Sequence, residues 1–161
     1  GTDHILMGLI AKSIGADAKK VAYVPFAGGG PAQAALLGNQ VVAGTSGIGE
    51  FEEQIKAGKL RALAVSAPKR LPGCDAPALK EVGVDVELGN WRAVFAPPGL
   101  SDADKRKMLG FVDALAKSAG WKAELGKRGW TDEYLAGDAF ARFLAEDIKR
   151  IEGVLKDIGL A

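Results

Sequence analysis

Three short turns of small residues have the types and spacing that could do chemistry in this sequence. They are Gly1-Thr2 before a helical pattern, Gly28-Gly29-Gly30 between a strand pattern and a helix, and Thr45-Ser46-Gly47 after another strand pattern. Glycine lets backbone N–H groups approach a ligand without an intervening Cβ. Each helix start adds unpaired N–H groups and about half a positive charge. The turns therefore indicate a site for a small anion such as a carboxylate or phosphate, with a tight or flexible connection as the alternative for the glycine run.

The same turns do not complete the enzyme motifs that contain glycine or serine in this way. Gln33 stands where a dinucleotide fingerprint needs its third glycine. Neither glycine run is followed by the Lys-Ser or Lys-Thr of a phosphate loop. Ile48 replaces the last glycine of a serine-nucleophile elbow around Ser46. We therefore predict binding without catalysis and without a cofactor, and we keep a small α/β hydrolase using Ser46 as an alternative.

Residues that serve as bases, thiols or metal ligands are scarce. His4 is the only histidine and Cys74 the only cysteine. Any nucleophile would have to share the single imidazole. We predict no disulfide, no catalytic residue and no metal site. For His4, in the first turn of a helix, a capping or surface role and a ligand contact both stay open.

The composition indicates one globular domain and excludes several classes of partner. The 161 residues carry a net charge of +1, and the basic residues alternate with acidic ones along helical segments, which argues against a nucleic-acid partner. No apolar run reaches the roughly 18 residues that a membrane span needs. The sequence opens directly into a helical pattern without an export leader or a first strand. We therefore expect this chain to be a piece of a longer one.

The first half has an alternating pattern typical of a parallel sheet flanked by helices. Apolar spacing, Gly and Pro predict helices at 3–14, 31–37 and 50–57, and strands at 20–26, 40–47 and 60–67. Thr2 or Asp3 is the expected cap of the first helix, and Gly38 the terminator of the second. The order β-α-β-α-β gathers the small-residue turns at the carboxyl ends of the strands, where open α/β folds bind ligands.

The second half is predicted to be mainly helical. A short helix at 78–82 is followed by extended segments that end at Pro97-Pro98-Gly99. Ser101 is the expected cap of the next helix, whose buried stripe would contain Met108, Val112 and Leu115. Further helices are predicted at 120–127 and 138–157. We divide the chain into an α/β ligand-binding lobe, residues 1–96, and a C-terminal helical segment, residues 97–161.

Three long stretches carry a resemblance to a known family. They read "VAYVPFAGGGPAQAALLGNQVVAGTSGIGEFEEQIKAGKLRALAVSAPKRLPG", "NWRAVFAPPGLSDADKRK" and "GWTDEYLAGDAFARFLAEDIKRIEGVLKDIGL", and they cover nearly the whole chain. The sequence resembles the extracytoplasmic solute receptors of tripartite tricarboxylate transporters, the Bug family. It is most similar to their tricarboxylate-receptor branch.

The resemblance implies a periplasmic, two-lobed binding protein that closes around a small carboxylate, such as citrate, and delivers it to membrane permease subunits. This chain would be the second lobe of that periplasmic-binding-protein fold, with C-terminal helices that pack on the first lobe. The ligand loop of the first lobe and the export signal would then be missing. A lobe without its partner would expose an apolar face and could self-associate through it. A ligand-sensing or interaction domain built on the same lobe is a further alternative.

The resemblance also places the ligand contacts of the second lobe on numbered positions. The turn before the first helix corresponds to Gly1, Thr2 and His4, and the glycine loop to Ala27 and Gly28-Gly29-Gly30. The turn after the strand corresponds to Thr45, Ser46 and Gly47. Trp91 is expected either to wall the cleft or to pack between lobes. Arg92 is expected either to offset ligand charge or to form a structural ion pair.

Overall fold

Helices dominate the computed structural model, which describes residues 1–160. Its α-helices are α1 Thr2–Ser13, α2 Gly29–Leu37, α3 Ile48–Lys56, α4 Asp102–Lys117, α5 Ala119–Arg128 and α6 Gly137–Asp157. Two short 3-10 helices span Ala18–Lys20 and Leu79–Val82. The helices that the sequence predicts are all present, with ends shifted by one or two residues. None of these described helices is long and apolar enough to cross a membrane.

The helix ends test the capping predictions individually. The cap at Ser101 is confirmed, because its hydroxyl accepts a hydrogen bond from the backbone N–H of Asp104 at 3.1 Å. The cap at Thr2 or Asp3 is wrong: Gly1 is the capping residue, without a side-chain hydrogen bond, and both predicted caps lie inside α1. Helix α2 starts at Gly29, so the glycine run forms its first turn instead of preceding it.

Helix α2 ends in a way that also reshapes the second predicted strand. The prediction that Gly38 terminates α2 is confirmed, because the helix ends at Leu37 and Gly38 is its C-cap. The residue in the left-handed conformation is the next one, Asn39, with φ of 56°. The N–H groups of Asn39 and Gln40 donate to the carbonyls of Leu36 and Ala35 at 3.1 and 2.8 Å. Asparagine tolerates this conformation, which closes the last turn of the helix. Because Gln40 completes the helix end, residues 40–42 form bends and not the start of a strand.

The parallel sheet is represented in residues 1–160 by a single isolated bridge. It is a parallel bridge between Val65 and Ala78. The N–H of Val65 donates to the Pro77 carbonyl, and the Val65 carbonyl accepts from the N–H of Leu79, both at 2.9 Å. Val65 therefore pairs with the segment just before the second 3-10 helix and not with the other predicted strands. The sheet flanked by helices remains a prediction.

The chain divides into two compact units, Gly1–Asn90 together with the stretch from Arg150, and Trp91–Lys149. In the first unit, Val65, Ala76 and Ala78 form a buried cluster, with Cys74 packed against it. Helix α1 meets the end of α6 at Gly8, where an added Cβ would lie only 2.5 Å from Cγ2 of Ile158. The predicted division at residue 96 remains a prediction.

The second unit contains an aromatic cluster and an uncovered helix face. Trp91, Phe95, Phe140 and Phe143 contact one another with ring centroids 5.6–6.3 Å apart. In α4 the predicted buried stripe is wrong at Met108 and Leu115, which are 40% and 44% exposed, whereas Val112 is half-buried. Ala116 is the buried residue of α4, so the packed side of the helix is rotated away from the largest apolar side chains.

Candidate functional site

The starts of helices α2 and α3 meet at Glu50. The Ser46 hydroxyl donates a hydrogen bond to the Glu50 carboxylate, and Nε2 of Gln33 in α2 donates to the Glu50 backbone carbonyl at 3.1 Å. Gly29 is buried against the same side chain: a Cβ atom there would lie 2.8 Å from the Cβ of Glu50. Glycine at position 29 therefore allows α3 to approach α2, and it brings two predicted site residues, Gly29 and Ser46, together.

The start of α1 lies close to the same glutamate. Burial raises the pKa of the Asp3 carboxyl, and the Glu50 carboxylate raises it further because two negative charges repel each other. The His4 ring stacks on Tyr23, with centroids 4.2 Å apart and the planes 1° from parallel. Burial and the charge of Asp3 raise the pKa of the Tyr23 hydroxyl. The starts of α2 and α3 thus meet at Glu50, and Asp3 at the start of α1 is near enough for its charge and that of Glu50 to interact.

The glycine loop presents open backbone on this side of the first unit. Gly28 has φ of 144°, a conformation that side chains rarely adopt, and no atom lies within 4 Å of an ideal Cβ at Gly28, Gly30 or Gly47. The first-turn N–H groups of α2 have no partner within the helix. A small anion can therefore approach Ala27 and the glycines directly. Thr2, Thr45 and Ser46 are half-buried.

The single proton of the Ser46 hydroxyl is engaged. A serine hydroxyl has one O–H donor and two acceptor lone pairs. Since Ser46 donates to Glu50, the part of Ser46 that is left for a ligand is its acceptor side. The arrangement also differs from a nucleophile–imidazole pair, because the partner of the hydroxyl is a carboxylate.

Trp91 and Arg92 lie in the second unit and have contacts of their own there. The Trp91 indole N–H donates to Oδ2 of the buried Asp147 at 3.0 Å. The Arg92 guanidinium stands 4.3 Å from the centroid of the Trp130 ring, and Arg128 stands 5.3 Å from it. These are packing and cation–π contacts. Ligand roles for Trp91 and Arg92 remain predictions.

Glu50, Asp3 and Tyr23 are the residues at this place that sequence reasoning missed. A carboxylate in the first turn of a helix is common, because it complements the positive end of the helix dipole. The spacing of Ser46 and Glu50, four residues apart, was the available signal. Residues 1–160 contain no group of three or more His, Cys, Asp or Glu side chains that could hold a metal ion.

A family model and individual known proteins both match nearly the whole of this chain. A model of the tripartite tricarboxylate transporter family receptor matches residues 1–160. Protein BugT of Bordetella pertussis is 28% identical over 97% of this chain. A UPF0065 protein of Cupriavidus necator, from the gbd 5' region, is 27% identical over 99% of it.

A solved structure of R. palustris Rpa4515 with adipate is similar over the whole chain. The TM-score is 0.79 and the sequence identity 26%, and the match covers 54% of that protein. BugT and the Cupriavidus protein are each covered to 48%, so the chain spans about half the length of the curated relatives it matches. The family is one of solute-binding receptors and not of enzymes. Because the family match runs from residue 1 to residue 160, this chain belongs to the tripartite tricarboxylate transporter receptors, the Bug family.

Proposed function

We propose that this chain is the ligand-binding part of an extracytoplasmic receptor that captures a small organic carboxylate. The receptor would work in the periplasm and deliver the carboxylate to the permease subunits of a tripartite tricarboxylate transporter. The observation that carries the proposal is the meeting of the starts of α2 and α3, with their glycine and hydroxyl turns, at Glu50 in the first unit. A relative solved with adipate supports a carboxylate as the ligand class.

In this proposal, backbone N–H groups of the glycine loop hold one carboxylate of the ligand. Gly28, Gly29 and Gly30 allow close approach, and the hydroxyls of Thr2 and Thr45 add donors from the neighbouring turns. A hydrogen bond to a charged group contributes about 1.5–3 kcal/mol. Three or four of them, less the cost of association, are compatible with micromolar affinity, about 8 kcal/mol.

The remaining predicted residues extend this site. Ala27 and Gly47 would line the approach to the loop, Ser46 would face the bound ligand, and His4 would border it through its stack on Tyr23. Trp91 would wall the cleft. The lobe of residues 1–96 would hold the ligand, and the segment 97–161 would pack on a first lobe. Citrate and other tricarboxylates are the ligands that the family branch suggests.

Calorimetric titration of the intact natural protein with citrate, malate and adipate tests this function. At least one acid is expected to bind at micromolar concentration. Gly29→Asp is expected to weaken binding at least tenfold, because it adds a clash and a negative charge at the loop. Ser46→Ala is expected to weaken binding several-fold.

Gly126→Asp is the matched control, since it adds the same charge in α5 at a position with no atom within 4 Å of an ideal Cβ. It should leave binding unchanged. Absence of binding by all three acids would contradict the proposal. Turnover of an activated ester that disappears in Ser46→Ala would favour the hydrolase instead.

A further inference from the structure

Glu50 places a negative charge where the proposed site needs positive potential. Its side chain fills the space over Gly29, and its carboxylate accepts the hydrogen bond of Ser46. The carboxyl of Asp3 lies near enough for its pKa to be raised by the charge of Glu50. A ligand that carries only carboxylates would be repelled by this pair at the same place where the helix starts attract it.

The side chains of Glu50 and Ser46 offer a ligand hydrogen-bond acceptors and no free donor. A carboxylate only accepts hydrogen bonds and has about four lone-pair positions, of which the Ser46 proton occupies one. Ser46 itself, having donated to Glu50, offers a ligand only its acceptor lone pairs. Both side chains beside the glycine loop therefore match a hydrogen-bond donor on the ligand, although the loop itself matches an anion.

We infer that Glu50 is a specificity-determining residue that selects carboxylates bearing a hydroxyl or ammonium donor close to the carboxylate held by the glycine loop. The inference rests on the proposed function and specifies its ligand class. Hydroxy- and amino-carboxylates bind more tightly than polycarboxylates that lack such a donor. The donor hydrogen-bonds to Glu50 and to the Ser46 oxygen, while the adjacent carboxylate binds the loop N–H groups. A hydrogen bond to a charged acceptor amounts to roughly a tenfold preference or more.

Two sets of acids that differ only in this donor test the inference. Succinate, malate and aspartate carry hydrogen, hydroxyl and ammonium at the same carbon, and tricarballylate and citrate differ by one hydroxyl. In calorimetric titrations of the intact natural protein, malate or aspartate is expected to bind at least tenfold more tightly than succinate, or citrate at least tenfold more tightly than tricarballylate. If malate binds more tightly than aspartate, the selected donor is a hydroxyl; if aspartate binds more tightly, it is an ammonium.

Glu50→Gln shows whether Glu50 causes the preference. Glutamine has nearly the same shape, so the packing on Gly29 is kept while the charge is removed. The preference is expected to fall at least fivefold, mainly because the acid without a donor binds more tightly. Glu53→Gln is the control: it removes the same charge from α3, at a side chain that is 85% exposed and 3.9 Å from Lys56, and it should keep the preference of the natural protein.

The possible failures can be told apart. If none of the five acids binds, the proposed function is overturned, and this inference with it. If acids bind but the natural protein does not distinguish those with a donor from those without, only the inference is overturned, whatever the variants do. Equal effects of Glu50→Gln and Glu53→Gln would also overturn it, because the preference would then reflect the net charge of the helix.

Discussion

The side chain of Glu50 packs directly on the backbone of Gly29, which joins the first turns of α2 and α3. The contact leaves no room for a Cβ at position 29. The next residue, Gly30, lies in the same helical turn but has open space on its Cβ side. The two neighbouring glycines therefore differ in what a methyl group would meet.

Gly29→Ala is expected to lower the free energy of unfolding by about 1–3 kcal/mol, because the added methyl group forces Glu50 and α3 to move. Gly30→Ala should cost less, because its methyl group meets open space and only the following Pro31 restricts the backbone of residue 30. Urea denaturation of both variants measures the difference. Equal effects would show that Gly29 is not held closely against Glu50.

Gly8 in α1 has the same relationship with Ile158, at the C-terminal end of α6. Gly8→Ala is expected to destabilise the protein by about 1–3 kcal/mol, since the methyl group overlaps a buried side chain. Gly153→Ala is the control, because its Cβ side is open, and it should stabilise slightly. A double mutant of Gly8→Ala with Ile158→Ala should show a coupling of about 0.5–3 kcal/mol. Additive effects would contradict the contact.

Asp3 makes stability depend on pH in a defined direction. Burial and Glu50 raise its pKa above the ordinary value of 3.8. The unfolded chain ionises first, so the contribution of Asp3 to stability is present in full below about pH 3.8 and is lost as the pH rises through the raised value. Asp3→Asn should therefore be more stable than the natural protein at neutral pH, and the difference should disappear towards pH 3.

Thermal unfolding across this pH range measures the effect. Asp102→Asn is the control, because it also removes an acid from the first turn of a helix, but from a side chain that is 84% exposed. It is expected to give no gain at neutral pH. A gain of equal size in both variants would show that burial and Glu50 are not the cause.

Trp91→Phe separates packing from ligand contact. Phenylalanine keeps an aromatic ring beside Phe140 and Phe143 but removes the donor to the buried Asp147. We expect a loss of about 1–3 kcal/mol in the free energy of unfolding. The ligand affinity should be unchanged, because phenylalanine keeps an aromatic ring at the wall of the proposed cleft. Trp130→Phe, at an exposed ring, should change stability by less than about 1 kcal/mol. A weaker ligand affinity in Trp91→Phe alone would show that the indole N–H contributes to binding.

The features that the sequence predicted well are local ones. The cap at Ser101 and the positions of the helices depend on residues within a few positions of each other, which a single sequence displays directly. Even here, the pattern did not show which of the two residues after Leu37, Gly38 or Asn39, adopts the left-handed conformation, because both are compatible with it.

The features that escaped prediction depend on contacts distant in the chain. Pairing of Val65 with Ala78 and not with another predicted strand is decided by tertiary packing, which strand patterns do not encode. The apolar positions of α4 gave a helical period, but nothing in the period says which side is covered. In the sequence, Glu50 looks like an ordinary acidic residue in the first turn of a helix. Only its approach to Gly29 and Asp3 places it in the candidate site.

The contact between α1 and the end of α6 also determines when the first unit can be completed during synthesis. Lys12 and Asp157, which are 145 positions apart in the sequence, form an ion pair of 2.5 Å. At about 5–20 residues per second, a ribosome needs roughly 7–30 seconds to cover that distance. Until then, the side of α1 around Gly8 has no Ile158 to cover it. Its apolar residues stay exposed to chaperones and proteases. The time needed to synthesise the residues between α1 and Ile158 therefore adds to the time for which this helix is uncovered.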